Sequence, residues 1–171
     1  MLDKILVAID ASASSDLAFD TALAMAKSLS AELLLVHILD ASAYDSPKQP
    51  MMLVDGFSQD ADSSVQSKYE MQWEQYEDLY GTLLKQKQAE AEAVGVIATH
   101  LQVHGTAARK ICELAKMNDI DLIIVGNRDR TDKNSISGYL VHHAPCSVTV
   151  VHQKAHQTPV SETERLEAVA V

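Results

Sequence analysis

Four short apolar runs, at residues 5–9, 33–39, 122–125 and 148–151, constrain the fold more than any other feature of the sequence. Each is brief and nearly continuous, the pattern of a strand covered on both faces rather than of a half-exposed one. Between the first two, Ser12 to Ser15 offer capping hydroxyls, and Leu17, Thr21, Met25 and Leu29 recur every fourth residue, which predicts a helix. Strand, helix and strand within forty residues predict parallel pairing through a right-handed crossover.

The remaining chain repeats this alternation. Trp73, Tyr76, Tyr80, Leu83, Lys87, Ala91 and Val94 recur at three-or-four spacing, predicting a long helix that Gly95 closes and whose aromatic stripe is read as a core face. Residues 98–103 read as a strand with His100 and His104 on one side, and Gly105-Thr106 opens a helix carrying Ala108, Ile111, Cys112 and Ala115. A strand over 121–126 and a helix over 135–143 follow, the latter with Ile136, Tyr139, Leu140 and His143 on one face and stopped by Pro145. Residues 147–151 form the last strand. The expected class is α/β: an open five-stranded parallel sheet with helices on both faces, built from residues 1–152. A loop insertion at about 41–64, marked by Pro47, Pro50, Gly56 and the apolar island 51–54, is expected to be mobile. Residues 153–171 read as a polar tail, with a weak helix over 165–171.

Charge narrows the partners. The net charge is −10, and Asp45, Asp55, Asp60, Asp62, Glu70, Glu74, Glu77 and Asp78 face only Lys48 and Lys68 within residues 41–80. Such a field repels phosphate backbones and anionic lipid, so neither nucleic acid nor a membrane is an expected partner. No apolar run approaches the roughly 20 residues of a membrane span, and the first residues lack a basic leader, so a cytoplasmic protein is expected. Cys112 and Cys146 stand far apart and are read as reduced thiols.

Ligands of open parallel sheets bind beyond the carboxyl ends of the strands, where the strand order reverses. The candidates are therefore Ala8, Ile9 and Asp10 after the first strand, His37 and Ile38 in the second, Gly105 after the third, and Val125, Gly126, Asn127 and Arg128 at the fourth. A carboxylate at Asp10 can accept from an exocyclic amine or a ribose hydroxyl, hold a metal, or cap the next helix. Gly126, Asn127 and Arg128, followed by Asn134, Ser135, Ile136 and Ser137 at a helix start, read either as a phosphate cradle or as an ordinary strand-to-helix loop. No Walker, Gly-x-Gly-x-x-Gly or Gly-x-Ser-x-Gly pattern is present. Adjacent His142 and His143 point about 100° apart on a helix, a poor start for a metal site with Cys146 or with His152 and His156. No catalytic or metal-ligating residue is assigned.

Several segments together resemble the universal stress protein family: KILVAID at 4–10 with Ser12 and Ser15, LLLVHI at 33–38, VHG at 103–105, DLIIVG at 121–126, and YLVHHAPCSVTVV at 139–151. The resemblance spans about residues 2–152. It implies an adenine-nucleotide-binding domain of the adenine-nucleotide alpha-hydrolase-like, Rossmann-type sandwich, and a homodimer pairing through the strand at 148–151. In ATP-binding members the acid matching Asp10 faces the adenine and ribose, the residue matching Ile38 contacts the base through its backbone, and phosphates lie in a Gly-x-x-Gly, nine-residue spacer, Gly-Ser/Thr loop. This chain keeps Gly126, but Asp129 stands at the second glycine, the spacer shrinks to residues 130–133, and Asn134 replaces the third glycine. A carboxylate within about 4 Å of a phosphate costs on the order of 4 kcal/mol at an effective dielectric near 20. The expected ligand is thus AMP or ADP before ATP, with Mg²⁺ only if a triphosphate binds. The expected role is stress-responsive signalling without turnover, a slow ATPase or autokinase being the weakest reading. The alternative is a nucleotide-independent dimer that docks a protein partner through 41–64 and the long helix.

Overall fold

In the computed structural model, which describes residues 1–50, 59–127 and 135–152, nine elements alternate from strand to helix. They are β1 (Lys4–Ala8), α1 (Ala13–Leu29), β2 (Glu32–Leu39), α2 (Gln59–Ala93), β3 (Ala98–His104), α3 (Ala107–Met117), β4 (Leu122–Asn127), α4 (Ile136–His143) and β5 (Ser147–His152). Every strand pair is parallel, and the order is β3-β2-β1-β4-β5. The sheet is open, with β3 and β5 at its edges, so the strand through which a second copy is expected to pair does present an edge.

The central strands are the ones whose sequence is continuously apolar, because each is covered on both faces. Side chains alternate between two cores. Ile5, Val7, Leu33, Leu35 and Ile124 meet α1 and α2, while Leu6, Leu34, Val36, Ile123 and Val125 meet α3 and α4. Asp121, just ahead of β4, accepts from the N–H groups of Asp3 and Lys4 at 2.8 and 2.9 Å, which ties the amino ends of β4 and β1 together.

The face of α1 differs from the one its fourth-residue repeat suggests. Leu17 and Leu29 are exposed, and the buried stripe is Ser14, Ser15, Ala18, Phe19, Ala22 and Ala26. Small residues win because α1 lies close against the sheet, too close for a row of leucines. Its first turn crosses Gly126 so tightly that a Cβ there would sit 2.5 Å from the Ser14 carbonyl carbon and 2.9 Å from its Cβ. Similarly, α4 buries Ser137 and Leu140, leaving Ile136 and Tyr139 more than a third exposed.

The segment at 41–64 is not a loop throughout. Residues 59–64 already belong to α2, and 41–48 form a turn knit by its own side chains. Ser46 Oγ donates to the carbonyls of Ala41 and Ala43, both at 2.9 Å, and Lys48 Nζ also binds the Ala43 carbonyl. The apolar island 51–54 of the loop expected to be mobile, and the weak helix expected at 165–171, fall outside the described residues. No helix among the described residues is long and apolar enough to cross a membrane.

Two glycines should respond oppositely to alanine. Gly126→Ala forces backbone against backbone and should destabilise by about 1–3 kcal/mol in urea unfolding. Gly81→Ala, inside α2, meets only the end of the Gln102 side chain at 3.3 Å, and should stabilise by about 0.5–1 kcal/mol through helix propensity. A neutral Gly126→Ala would show that the α1 contact is slack.

Candidate functional site

Strand order reverses between β1 and β4, and a cleft of about 270 Å³ opens there along the carboxyl rim of the sheet. That volume falls just below the roughly 300–1,000 Å³ usual for small-molecule sites. Ala8, Ile9 and Asp10 line it from β1, Ile38 from β2, and Val125, Gly126 and Asn127 from β4, with Ser135, Ile136 and Ser137 at the start of α4. The structure thus brings these sequence candidates to one cavity. Arg128 and Asn134 lie outside the described residues, as does Asp129.

At the β1 corner, hydroxyls and backbone brace each other. Ser12 caps α1, its Oγ accepting from Ser15 N–H at 3.2 Å, while Ser15 Oγ accepts from Asp10 N–H at 2.9 Å. The Asp10 carboxylate accepts from Ser12 N–H at 2.7 Å, so this side chain both shapes the turn and lines the cleft. Across the reversal, Ser135 caps α4 by accepting from Gly138 N–H at 3.1 Å and lies 3.1 Å from Ser137 Oγ. Two helix starts with hydroxyl side chains therefore face this end of the cavity, and helix N-termini favour negative charge. The missing side chain of Gly126 admits the first turn of α1.

The β2 end is different in chemistry. Ile9 N–H donates to Val36 O at 2.8 Å, and the Ile9 carbonyl lies 2.8 Å from His37 Nδ1, after which the chain turns away. Ile38 shares the parity of Val36, so its backbone N–H and C=O point to the side that β1 has vacated. Asp40 accepts from Ser42 N–H and Oγ, at 2.9 and 2.6 Å, and from Ala107 N–H at 2.7 Å. It thereby caps α3 in place of Thr106, whose own side chain makes no cap bond. Burial opposes the Asp40 charge, but the Ser42 and Ala107 hydrogen bonds and the Lys48 charge prevail and hold its pKa below the usual carboxylate value. Asp45, also in the cleft wall, accepts from the phenols of Tyr80 and Tyr76, and the Tyr80 ring stacks on His37 with centroids 3.7 Å apart.

Asp40, Asp45, Tyr76 and Ser14 were absent from the sequence candidates. Asp40 immediately follows a strand, so the strand-end rule could have found it. Asp45 and Tyr76 reach the cleft only through a packing contact between residues 31 apart, which no local spacing reveals. Elsewhere, Cys112 and Cys146 are free thiols whose pKa values burial raises. Among the described residues, no group of three or more His, Cys, Asp or Glu side chains is placed to hold a metal ion.

A family model for the universal stress protein family matches residues 1–152. The chain belongs to the universal stress protein family. A putative universal stress protein of Staphylococcus haemolyticus is 30% identical over 156 residues, covering 86% of this chain and 83% of its own. Among solved structures, UspA from Lactobacillus plantarum aligns with a TM-score of 0.63 at 24% identity, over 88% of this chain and 97% of that one. A family member from Arabidopsis thaliana with AMP bound aligns with a TM-score of 0.60 at 22% identity, over 93% and 97%. At such identities the two structures establish the open parallel-sheet fold.

Tyr80 offers a spectroscopic handle on the acid end of the cleft. Burial, then the hydrogen bond and charge of Asp45, raise its pKa well above the usual phenol value. A neutral phenol is thus favoured by folding, and this contribution is full below the unfolded value of about 10 and lost as pH rises beyond it. Ultraviolet titration should show Tyr80 ionising last of the five tyrosines, and Asp45→Asn should advance it. Tyr80 ionising together with exposed Tyr44 would refute the contact.

Proposed function

We propose that the cleft binds an adenine nucleotide and that the protein acts as a stress-response signalling module through that binding, without turnover. The observation that carries this reading is the polarity of the cavity. Helix starts with Ser14, Ser15, Ser135 and Ser137 face one end, suited to a phosphate, and Asp40 and Asp45 lie toward the other, suited to hydroxyl and amine donors, with Asp10 between them at the β1 corner. The AMP held by the Arabidopsis relative supports the same class of ligand. Asp129 at a family glycine position favours AMP or ADP over ATP by like-charge repulsion.

A second reading, a nucleotide-independent protein that docks a partner, is supported by the outer turns of α2. Residues 64–75 include no buried side chain, and Met71 is 56% exposed.

Calorimetry with AMP, ADP and ATP, each with and without Mg²⁺, separates these readings. Wild type should bind AMP or ADP at least as tightly as ATP, and Asp129→Gly should shift the ratio toward ATP by about tenfold, the part of the repulsion that survives screening. Tighter ATP binding by wild type with no gain in the variant would remove the repulsion argument. Binding of none of the three would favour the docking protein.

A further inference from the structure

The turn after β2 holds a carboxylate in the cavity wall with more precision than a surface loop needs. Ala43 N–H donates to the Asp40 carbonyl at 3.0 Å and Ser46 N–H to the Ala43 carbonyl at 3.3 Å, while the buried Ser46 hydroxyl and Lys48 satisfy the carbonyls inside the turn. One end of this turn is fixed to α3 by Asp40 and the other to α2 by Asp45, through Tyr76 and Tyr80. The Asp40 carboxylate is engaged by three donors. Asp45 accepts from two phenols, and a carboxylate has room for about four donors. It therefore has acceptor capacity left where it meets the cavity.

An ionised carboxylate accepts hydrogen bonds and donates none. Asp45 is exposed in the free protein, and a ligand resting against it covers the carboxylate; that ligand group must bring a donor, because a second acceptor would leave two lone-pair groups face to face. The polarity of the cleft sends the phosphate toward the start of α4 and leaves the base at the end formed by Ile38, Ala43, Asp45 and Tyr76. A 6-amino purine places an N–H donor on its outer edge, and a 6-oxo purine places a carbonyl there.

We propose that Asp45, braced by Tyr76 and Tyr80, is the specificity-determining residue that makes this cleft accept 6-amino purine nucleotides and reject 6-oxo ones. The inference rests on the nucleotide reading above and deepens it. Asp45 touches the base in this account, while Tyr80 acts through Asp45 as a positioning residue. The Ile38 backbone, which also lines this end, can itself discriminate between purines, so the signature of Asp45 is the part of the discrimination that disappears with its carboxylate.

The test is calorimetry of the full chain with AMP, IMP and purine riboside 5′-monophosphate, which carries neither substituent at position 6. Wild type should bind AMP about 10–100-fold more tightly than IMP, the range expected for one hydrogen bond to a charged group, with the unsubstituted purine between them. Asp45→Asn presents either a donor or an acceptor and should shrink the AMP-to-IMP ratio to about threefold or less. Asp45→Ser removes the charge with a smaller side chain and serves if the asparagine variant does not fold. Equal binding of AMP and IMP by wild type, or a ratio that survives intact in a folded Asp45 variant, overturns the inference and leaves nucleotide binding standing. Failure of wild type to bind any of the three overturns the nucleotide reading, and this inference with it.

Discussion

The first turn of α1 rests on Gly126, the backbone of Ser14 crossing where any side chain would intrude. That contact joins the helix after β1 to the end of β4, the two strands between which the order reverses. It draws Ser12, Ser14 and Ser15 to the rim of the sheet and leaves the start of α4 facing them across a narrow gap. Without it α1 would ride higher on the sheet, the buried row of alanines would lose its fit, and the two helix starts would no longer face one cavity. The fold and the site therefore depend on the same close approach.

The cleft that results is chemically divided. At the β4 side, serine hydroxyls and helix N-termini present donors and partial positive charge. At the β2 side, Asp40 and Asp45 present acceptors, each held by partners from a different helix. A molecule with an anion at one end and amine or hydroxyl donors at the other matches this layout in one orientation only. The polarity of the described part of the cleft comes from helix starts and carboxylates outside residues 128–134, so the proposed reading does not rest on the glycines that the family pattern places there.

The central strands were legible because burial on both faces makes β1, β2 and β4 nearly continuous apolar runs, and the rim residues were legible because they follow those strands directly. β3 is an edge strand with half-exposed side chains, and its sequence, ATHLQVH, is correspondingly mixed. The fourth-residue repeat of α1 revealed the helix and not its buried face. The close contact with the sheet instead selects Ala18, Ala22 and Ala26, and turns Leu17 and Leu29 outward. Asp45 and Tyr76 escaped because their proximity to the cleft is made by α2 packing back over the β2 end. The helix after the insertion begins at Gln59, earlier than its aromatic stripe indicated, since its outer turns carry polar residues that give no periodic apolar signal.

The most direct test of the account is a map of backbone amide shifts in the ¹⁵N-labelled protein as AMP and, separately, adenosine are added. AMP should move two groups of signals: Ile38, Ala43 and Asp45 at the base end, and Ser14, Asn127, Ser135 and Ser137 at the phosphate end. Adenosine, which lacks the anion, should move the first group and leave most of the second unchanged. Shifts confined to the phosphate end with both ligands, or spread over surfaces away from the carboxyl rim of the sheet, would contradict an oriented nucleotide in this cleft.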